Sequence, residues 1–432
     1  MHTDCSGELG PECCMHMMSQ AMRERGTDIL PVDRIILWRA CDKSPLAKRV
    51  IVNHKLCPLH VFDGMLEKLP AANQLAVKNL RAGVGASDED RVRSFQRIDQ
   101  YLHKNARALY SRDARATNCV LHPGFACPLS FQDPDSIDDA ERPLTFAFAG
   151  TPCRPHTVYS GKRESCGGGP AHPDNEAWEL WKHDVRCQGY DAVGFENSDN
   201  MPPELLVNAW PSQYLVKFAV WDSYEQGWMM KRRRFFGFAI NQESLLWLGP
   251  HASGITNDIL HVFGHSTALE GDHIVHFNNP EALAKTKHAM AQKRGFYPDQ
   301  KTADKLELKH LLSPWEMDCY EASKQAHAAG SGKIGLAGSY ICDVTQQFHR
   351  NRASPLFPAV ARSSLLVSMS KDELFTPNEI DFAMGWPCIR TEGNASFAEL
   401  IGGQPAGLSA FERRQLSGNG MVLPQLGASL SF

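Results

Sequence analysis

The sequence has no run approaching the roughly 18 consecutive apolar residues that a membrane-spanning helix needs. Its first residues show no succession of basic, apolar and small side chains, so a secretory leader is not expected. Cysteine is plentiful, at 13 residues, but no two are spaced Cys-x-x-Cys. A zinc site of the usual spacing is therefore not expected, and an odd count cannot pair fully within one chain. A reducing compartment is the simplest reading. Positive charge is not in excess: 45 Lys and Arg against 49 Asp and Glu leave a net charge of -4. That excludes a protein gripping nucleic acid by bulk charge and leaves such a role to a local basic surface. Internal repeats and low-complexity tracts are also missing.

What is there is the composition of a globular chain, 43% hydrophobic and 22% charged. Its 432 residues suffice for one large domain and a smaller one. Thr3-Asp4-Cys5 reads as the end of a strand, Ser6-Gly7-Glu8-Leu9-Gly10 as a tight turn, and Pro11 as the first turn of a helix closed by Gly26. Cys14, Met15, Met18, Ala21 and Met22 would share one face of that helix. Arg34 to Ala40 is a strand candidate ending at Asp42, Pro45 to Val52 a helix, and a short strand ends near Asp63. This alternation is the pattern of a doubly wound parallel sheet. Residues 70–142 interrupt it as a polar insertion, with a helix from Asp88 to Tyr110 and an acidic loop at Asp133 to Asp139.

Three further apolar runs follow. Leu144 to Ala149 ends at Gly150-Thr151-Pro152-Cys153, Asp191 to Phe195 ends at Glu196-Asn197, and Phe235 to Ile240 follows Lys231-Arg232-Arg233-Arg234. Ligands of open parallel sheets sit beyond the carboxyl ends of strands, so polar residues there are site candidates. From about Asn241 to Lys371 the texture is irregular and rich in His, Gly and Ser, which suggests a second domain; the last 60 or so residues return to helix and strand patterning. Pro152-Cys153 alone carries no information, since Pro387-Cys388 repeats it and a single cysteine is more often a small buried hydrophobe. His261, His265, His273 and His276 have no cysteine or acid at ligand spacing and read as solvent-facing or core side chains.

The order of features says more than any one of them. Ser6-Gly7-x-x-Gly10 precedes acids after the second and third strands, Asp42 and Asp63. Then come Ala149-Gly150-Thr151-Pro152-Cys153, Gly161 with Gly167 to Gly169, Phe195-Glu196-Asn197 and Arg232-Arg233-Arg234-Phe235-Phe236-Gly237. Thr376-Pro377-Asn378-Glu379, Gly385-Trp386-Pro387 and Gly418-Asn419-Gly420 close the series. This succession resembles the DNA (cytosine-5) methyltransferase family over nearly the whole chain.

The resemblance implies an α/β, S-adenosylmethionine-dependent methyltransferase (Rossmann-like) fold with a mostly parallel sheet. A catalytic core over 1–240, with the insertion at about 70–142, would be completed by 372–432. An irregular target-recognition domain over 241–371 would lie between them. Cys153 would be the nucleophile, Glu196 the acid at ring nitrogen 3 of the base, and Arg232 and Arg234 the paired arginines that hold the base or the catalytic loop. Ser6, Gly7 and Gly10 would approach the methionine part of S-adenosyl-L-methionine, Asp42 its ribose and Asp63 its adenine amino group, with Asn419 also near the cofactor. No metal is implied. The expected partner is DNA with a flipped cytosine. RNA, including transfer RNA, stays open as substrate. So do a catalytically weak nucleic-acid-binding relative and a methyltransferase acting on small molecules or protein. The expected location is the nucleus in a eukaryote and the cytoplasm otherwise, and the expected state a monomer. The chain departs from the family pattern at Cys5, Arg154, His156, Thr157 and Ser198.

Overall fold

Three polar residues make an interior strand: β1 is His2–Asp4, buried throughout. Each side chain has a buried partner, which is what permits it. His2 Nδ1 lies 2.7 Å from the Tyr190 hydroxyl, the Thr3 hydroxyl donates to Glu12, and Asp4 pairs with Lys68. The computed structural model describes residues 1–5, 7–27, 34–82, 87–111, 113–131, 143–156, 171–271, 280–297, 305–330, 340–346, 353–388 and 407–431. Ser6, Gly161, Gly167 to Gly169, His273, His276 and the acidic loop at Asp133 to Asp139 lie outside them.

The chain divides into two compact units, Met1–Trp221 with Arg233–Val262 and Ser429–Phe432, and Asp222–Arg232 with Phe263–Ala428. Residues 241–262 group with the first unit and residues 372–428 with the second.

In the first unit, α1 (Gly10–Glu24) follows β1, then β2 (Arg39–Cys41), α2 (Pro45–Asn53), β3 (His60–Phe62), α3 (Ala71–Ala82) and α4 (Asp88–Tyr110). A two-stranded hairpin, β4 (Arg115–Ala116) with β5 (Cys127–Pro128), lies in the expected insertion. Then come β6 (Phe146–Ala149), α5 (Asn175–Gln188), β7 (Ala192–Ser198), α6 (Pro203–Val207), β8 (Tyr214–Trp221), β9 (Arg234–Asn241) and α7 (Thr256–Phe263). Seven strands form one sheet in the order β3-β2-β1-β6-β7-β9-β8. The first five of these are parallel, while β9 runs antiparallel to both β7 and β8. The expected mixed α/β fold with a mostly parallel sheet is therefore present.

Local chemistry sets the helix ends. The Ser44 hydroxyl accepts from Ala47 N at 3.3 Å with Pro45 following, and Ser87 accepts from Asp90 N at 3.2 Å. Gly189 closes α5 at φ 64°. The buried side of α1 runs through Glu12, Cys13, Cys14 and Ser19, and its Met residues are only half-buried. Ala21, expected on the inner face, is exposed.

Glu12 carries a pH signature. Burial pushes its carboxyl up from 4.5 to about 7, against the hydrogen bond from Thr3. An acid raised on folding binds its proton more tightly in the native state, so stability falls as pH rises from about 4.5 through 7. The difference amounts to about 3 kcal/mol at pH 8. Glu12→Gln keeps the acceptor for Thr3 and removes the charge, leaving an orphan amide donor that returns about 1–2 kcal/mol. Urea unfolding at pH 5 and pH 8 is expected to show the variant gaining on the parent as pH rises, and a constant difference would contradict this account.

The second unit contains α8 (Pro280–Lys293), α9 (Leu308–Leu311), α10 (Pro314–Gly330), β10 (Ile341–Asp343), β11 (Leu366–Ser368), β12 (Glu373–Leu374), α11 (Pro377–Ala383) and α12 (Ala410–Asn419). A last helix, α13 (Leu423–Ser431), ends in the first unit. Strands β10, β11 and β12 form an antiparallel sheet over a core that includes Leu311, Tyr320, Cys342 and Val367. Thr376 and Glu379 cap α11 reciprocally. Gly418 has room for no side chain, since a Cβ there would lie 2.4 Å from Arg362 N and 2.5 Å from Ala361 C.

Candidate active site

Parallel strands end on one edge of a sheet, and here the register aligns those ends. Asp4 lies opposite Cys41 and Ala149, Cys41 opposite Phe62, and Ala149 opposite Phe195. The residue after each forms a row across the edge: Asp63, Asp42, Cys5, Gly150, Glu196. Backbone hydrogen bonds extend it beyond the strands, with Cys5 N on Cys41 O at 2.7 Å, Asp42 N on Phe62 O at 3.3 Å and Gly150 N on Asp4 O at 3.1 Å. Four strand spacings make the row about 19 Å long. Its middle is the switch point, because β2 and β3 lie to one side of β1 and β6 and β7 to the other. Open α/β sheets bind ligands at such a point.

The β1 side is built from backbone. Cys5, Gly7 and Leu9 have φ of 53°, 67° and 64°, so the chain turns sharply before α1 begins at Gly10. Only Gly7 adopts this conformation without strain, and buried Leu9 holds it at a cost of about 1–2 kcal/mol. Gly7 N donates to Asp42 Oδ2 at 3.1 Å, and Ser44 N donates to Asp42 Oδ1 at 2.7 Å. Asp42 thus ties the β1 turn to the start of α2. Asp63, half exposed, pairs with Lys48.

The β7 side is built from side chains. Because β9 runs antiparallel to β7, its first residue returns to the edge where β7 ends, with Arg234 opposite Ser198 and Phe236 opposite Glu196. Arg234 Nε reaches Glu196 Oε1 at 2.8 Å, and Glu196 is only 9% exposed. Asn197 supports the neighbouring loop: its Nδ2 donates to Thr151 O at 3.2 Å and to Thr151 Oγ1 at 3.1 Å. Its Oδ1 accepts from Ser198 N at 2.8 Å. Cys153, half-buried, follows two residues later and opens a short 3-10 turn, His156 N donating to Cys153 O at 2.9 Å. Burial and His172 push the His156 imidazole down to about 4, so it is neutral beside this loop.

The expected arginine pair divides. Arg234 is with Glu196, whereas Arg232 is buried in the second unit, donating to Val360 O at 2.9 Å and Gly420 O at 2.7 Å. Arg232 precedes β9 and its backbone is held by Asp222 Oδ1 at 2.6 Å, so the alternation of the strand does not govern its direction. Asn419 is also in the second unit, accepting from Arg362 Nε. His261 and His265 are exposed, as expected.

One feature escapes sequence reading, a convergence of His60, Cys119, His122 and Cys127, whose ligand atoms lie within 4.8 Å of one another. The sequence reading expected no metal, since no two cysteines are spaced Cys-x-x-Cys.

No protein-family model matches the chain, and no curated protein matches it. Among solved structures it is similar to a DNMT2 mutant of Spodoptera frugiperda at 13% identity and a TM-score of 0.43, over 99% of this chain and 97% of that one. It is also similar to the Dnmt2 methyltransferase of S. pombe at 10% identity and a TM-score of 0.44, over 100% and 96%. A third similarity is to a putative DNA modification methyltransferase of an E. coli prophage, at 12% identity and a TM-score of 0.43, over 100% and 97%.

Proposed function

We propose that this chain is a cytosine carbon-5 methyltransferase using S-adenosylmethionine, with DNA as substrate. The observation that carries the reading is the β7 end of the row. A glutamate oriented by an arginine stands one strand away from a cysteine loop held by an asparagine.

Cytosine carbon 5 is a poor nucleophile until the ring is activated. The Cys153 thiolate adds to carbon 6, and Glu196 shares a proton with ring nitrogen 3, so charge developing on the base is neutralised where it forms. Arg234 holds Glu196 Oε1 and leaves the other oxygen to the base. Loss of the carbon 5 proton, after that carbon has taken the methyl group, re-forms the double bond and expels the thiol.

The β1 side fits the cofactor. Its sharp turn admits close approach of a ligand to backbone, and Asp42 and Asp63 are acceptors suited to ribose hydroxyls and an adenine amino group. Asp42 accepts from Gly7 N and Ser44 N, which fixes its carboxylate beside the β1 turn. When bound, the sulfonium group supplies an electrophilic methyl. From Asp63 to Gly150 is about 14 Å, and along this stretch Asp63, Asp42 and the β1 turn would hold the cofactor. Arg232 is then a support of the second unit, and Arg234 alone acts at the base. We assign target recognition to residues 241–371.

The test is transfer of labelled methyl from S-adenosylmethionine to mixed DNA and to transfer RNA. Label in DNA cytosines supports the reading, label only in RNA replaces the substrate, and no label with either while the cofactor binds overturns the activity. Asn197 is a positioning residue in this scheme. Asn197→Ala is expected to lower kcat by about 10–100-fold with little change in cofactor affinity, since small misplacement of a reacting group is that costly. Asn197→Asp should not rescue it, because a carboxylate cannot donate to Thr151 O. An unchanged kcat would remove Asn197 from the site.

A further inference from the structure

We infer that His60, Cys119, His122 and Cys127 form a tetrahedral zinc site closed by four protein ligands. Three of them come from the segment that interrupts the α/β rhythm, spaced Cys-x-x-His-x-x-x-x-Cys, and the fourth stands at the start of β3. The set belongs wholly to the first unit and is independent of the methyl-transfer reading.

Distances argue for a cation. His122 Nδ1 lies 3.4 Å from Cys119 Sγ and 3.5 Å from Cys127 Sγ. Zinc–sulfur and zinc–nitrogen bonds of about 2.3 and 2.05 Å at the tetrahedral angle put sulfur and nitrogen about 3.5 Å apart. Both distances are therefore tetrahedral edges. As hydrogen bonds they compete, since one ring nitrogen cannot serve two thiols well. The imidazoles of His60 and His122 meet at 5.2 Å between centroids, and His60 Nδ1 is buried with no hydrogen-bond partner. One divalent ion at the centre satisfies all four groups.

Charge and burial agree. Cys119 and Cys127 are 3% and 4% exposed and are not joined in a disulfide. Two thiolates, two neutral imidazoles and one divalent ion sum to zero, so the two buried thiolates would be compensated. Two sulfurs and two nitrogens in a tetrahedron select zinc over harder cations.

The fold gives the site a purpose. β3 is the edge strand of the main sheet. Cys119 bridges to Phe62, and Val120 N donates to Val61 O at 2.8 Å, so the loop of the β4–β5 hairpin lies along that edge. Zinc joining His60 to this loop would fasten the insertion onto β3 and cover an edge otherwise open to pairing. With all four positions taken by protein, the ion has no place for a substrate, and its role is structural.

The experiment is elemental analysis of the full-length protein, before and after chelator dialysis and zinc titration, with cobalt substitution in parallel. One zinc per chain is expected, with a thiolate-to-metal charge-transfer band in the cobalt form. Cys119→Ser and Cys127→Ser should each lose the metal, whereas His122→Cys, which keeps a tetrahedral donor set, should retain it. Cys187→Ser, on an exposed cysteine of α5, is the control and should retain one equivalent. The spectrum of the unsubstituted protein and the His122→Cys variant keep the test decisive if a serine variant fails to fold. Failure to take up stoichiometric zinc, retention of zinc after loss of both cysteines, or a Cys119–Cys127 disulfide in the native protein would each overturn the assignment.

Discussion

Cys153→Ser is expected to lower methyl transfer by about 10⁴-fold or more while leaving S-adenosylmethionine affinity within about twofold. The reason is ionisation. A thiol is a few per cent thiolate near neutral pH and intrinsically very nucleophilic, whereas a serine hydroxyl has almost no alkoxide. The cofactor side of the row is made by the β1 turn, Asp42 and Asp63, none of which hydrogen-bonds to Cys153, so binding should survive. DNA carrying 5-fluorocytosine makes the test direct. Its carbon 5 cannot lose a proton after methylation, the thiol is not expelled, and the unsubstituted protein should accumulate a covalent complex that Cys153→Ser does not form. A serine variant of near-normal rate, or one that still forms the adduct, would assign the nucleophile elsewhere.

The acids of this site are legible in the sequence because parallel strands share one carboxyl edge, so a polar residue ending an apolar run falls there whatever the helices do. Asp42, Asp63, Cys153 and Glu196 were reachable in that way, as was the full extent of α4, whose start is announced by Ser87 and Asp90. Arg232 and Arg234 show the limit of the method. Two residues apart in one basic run, they belong to different units, because only Arg234 is in the strand. Strand β8 is obscured by Lys217, which is buried by donating to three successive carbonyls, Pro250, His251 and Ala252, at 2.7 to 2.8 Å. Nothing local predicts such a cradle. His60 and Cys119 are likewise distant in sequence, and their meeting depends on the hairpin loop docking on β3. Local patterns thus reveal strand ends and caps, while partners brought together only by folding stay hidden.

Asp184→Asn is expected to cost about 3–5 kcal/mol, the cost of breaking one member of a buried ion network. Asp184 sits in α5, accepting from Arg39 Nη2 at 2.6 Å and Lys68 Nζ at 3.0 Å. Lys68 also pairs with Asp4, and Arg39 donates to Leu129 O at 2.8 Å and to the Tyr190 hydroxyl at 3.2 Å. Two acids and two bases make the set neutral, and all four are essentially inaccessible to water. Burial pushes the Asp184 carboxyl up, but Arg39 and Lys68 outweigh it and hold it below its ordinary value. Its stabilisation is therefore present above about pH 4, where the unfolded carboxyl is ionised, and is lost as pH falls further. The amide leaves one positive charge without compensation at neutral pH. Removing the base as well restores neutrality, with Arg39 facing Asp4 across the gap, so Asp184→Asn with Lys68→Met should cost about 1–3 kcal/mol less than the two single changes added together. Urea unfolding followed by a probe in the first unit measures both quantities. Additive costs would mean that the four groups act as separate pairs. Coupling within that range would mean that one neutral cluster fixes β1 and α5, the latter being the helix that follows the cysteine loop in the chain.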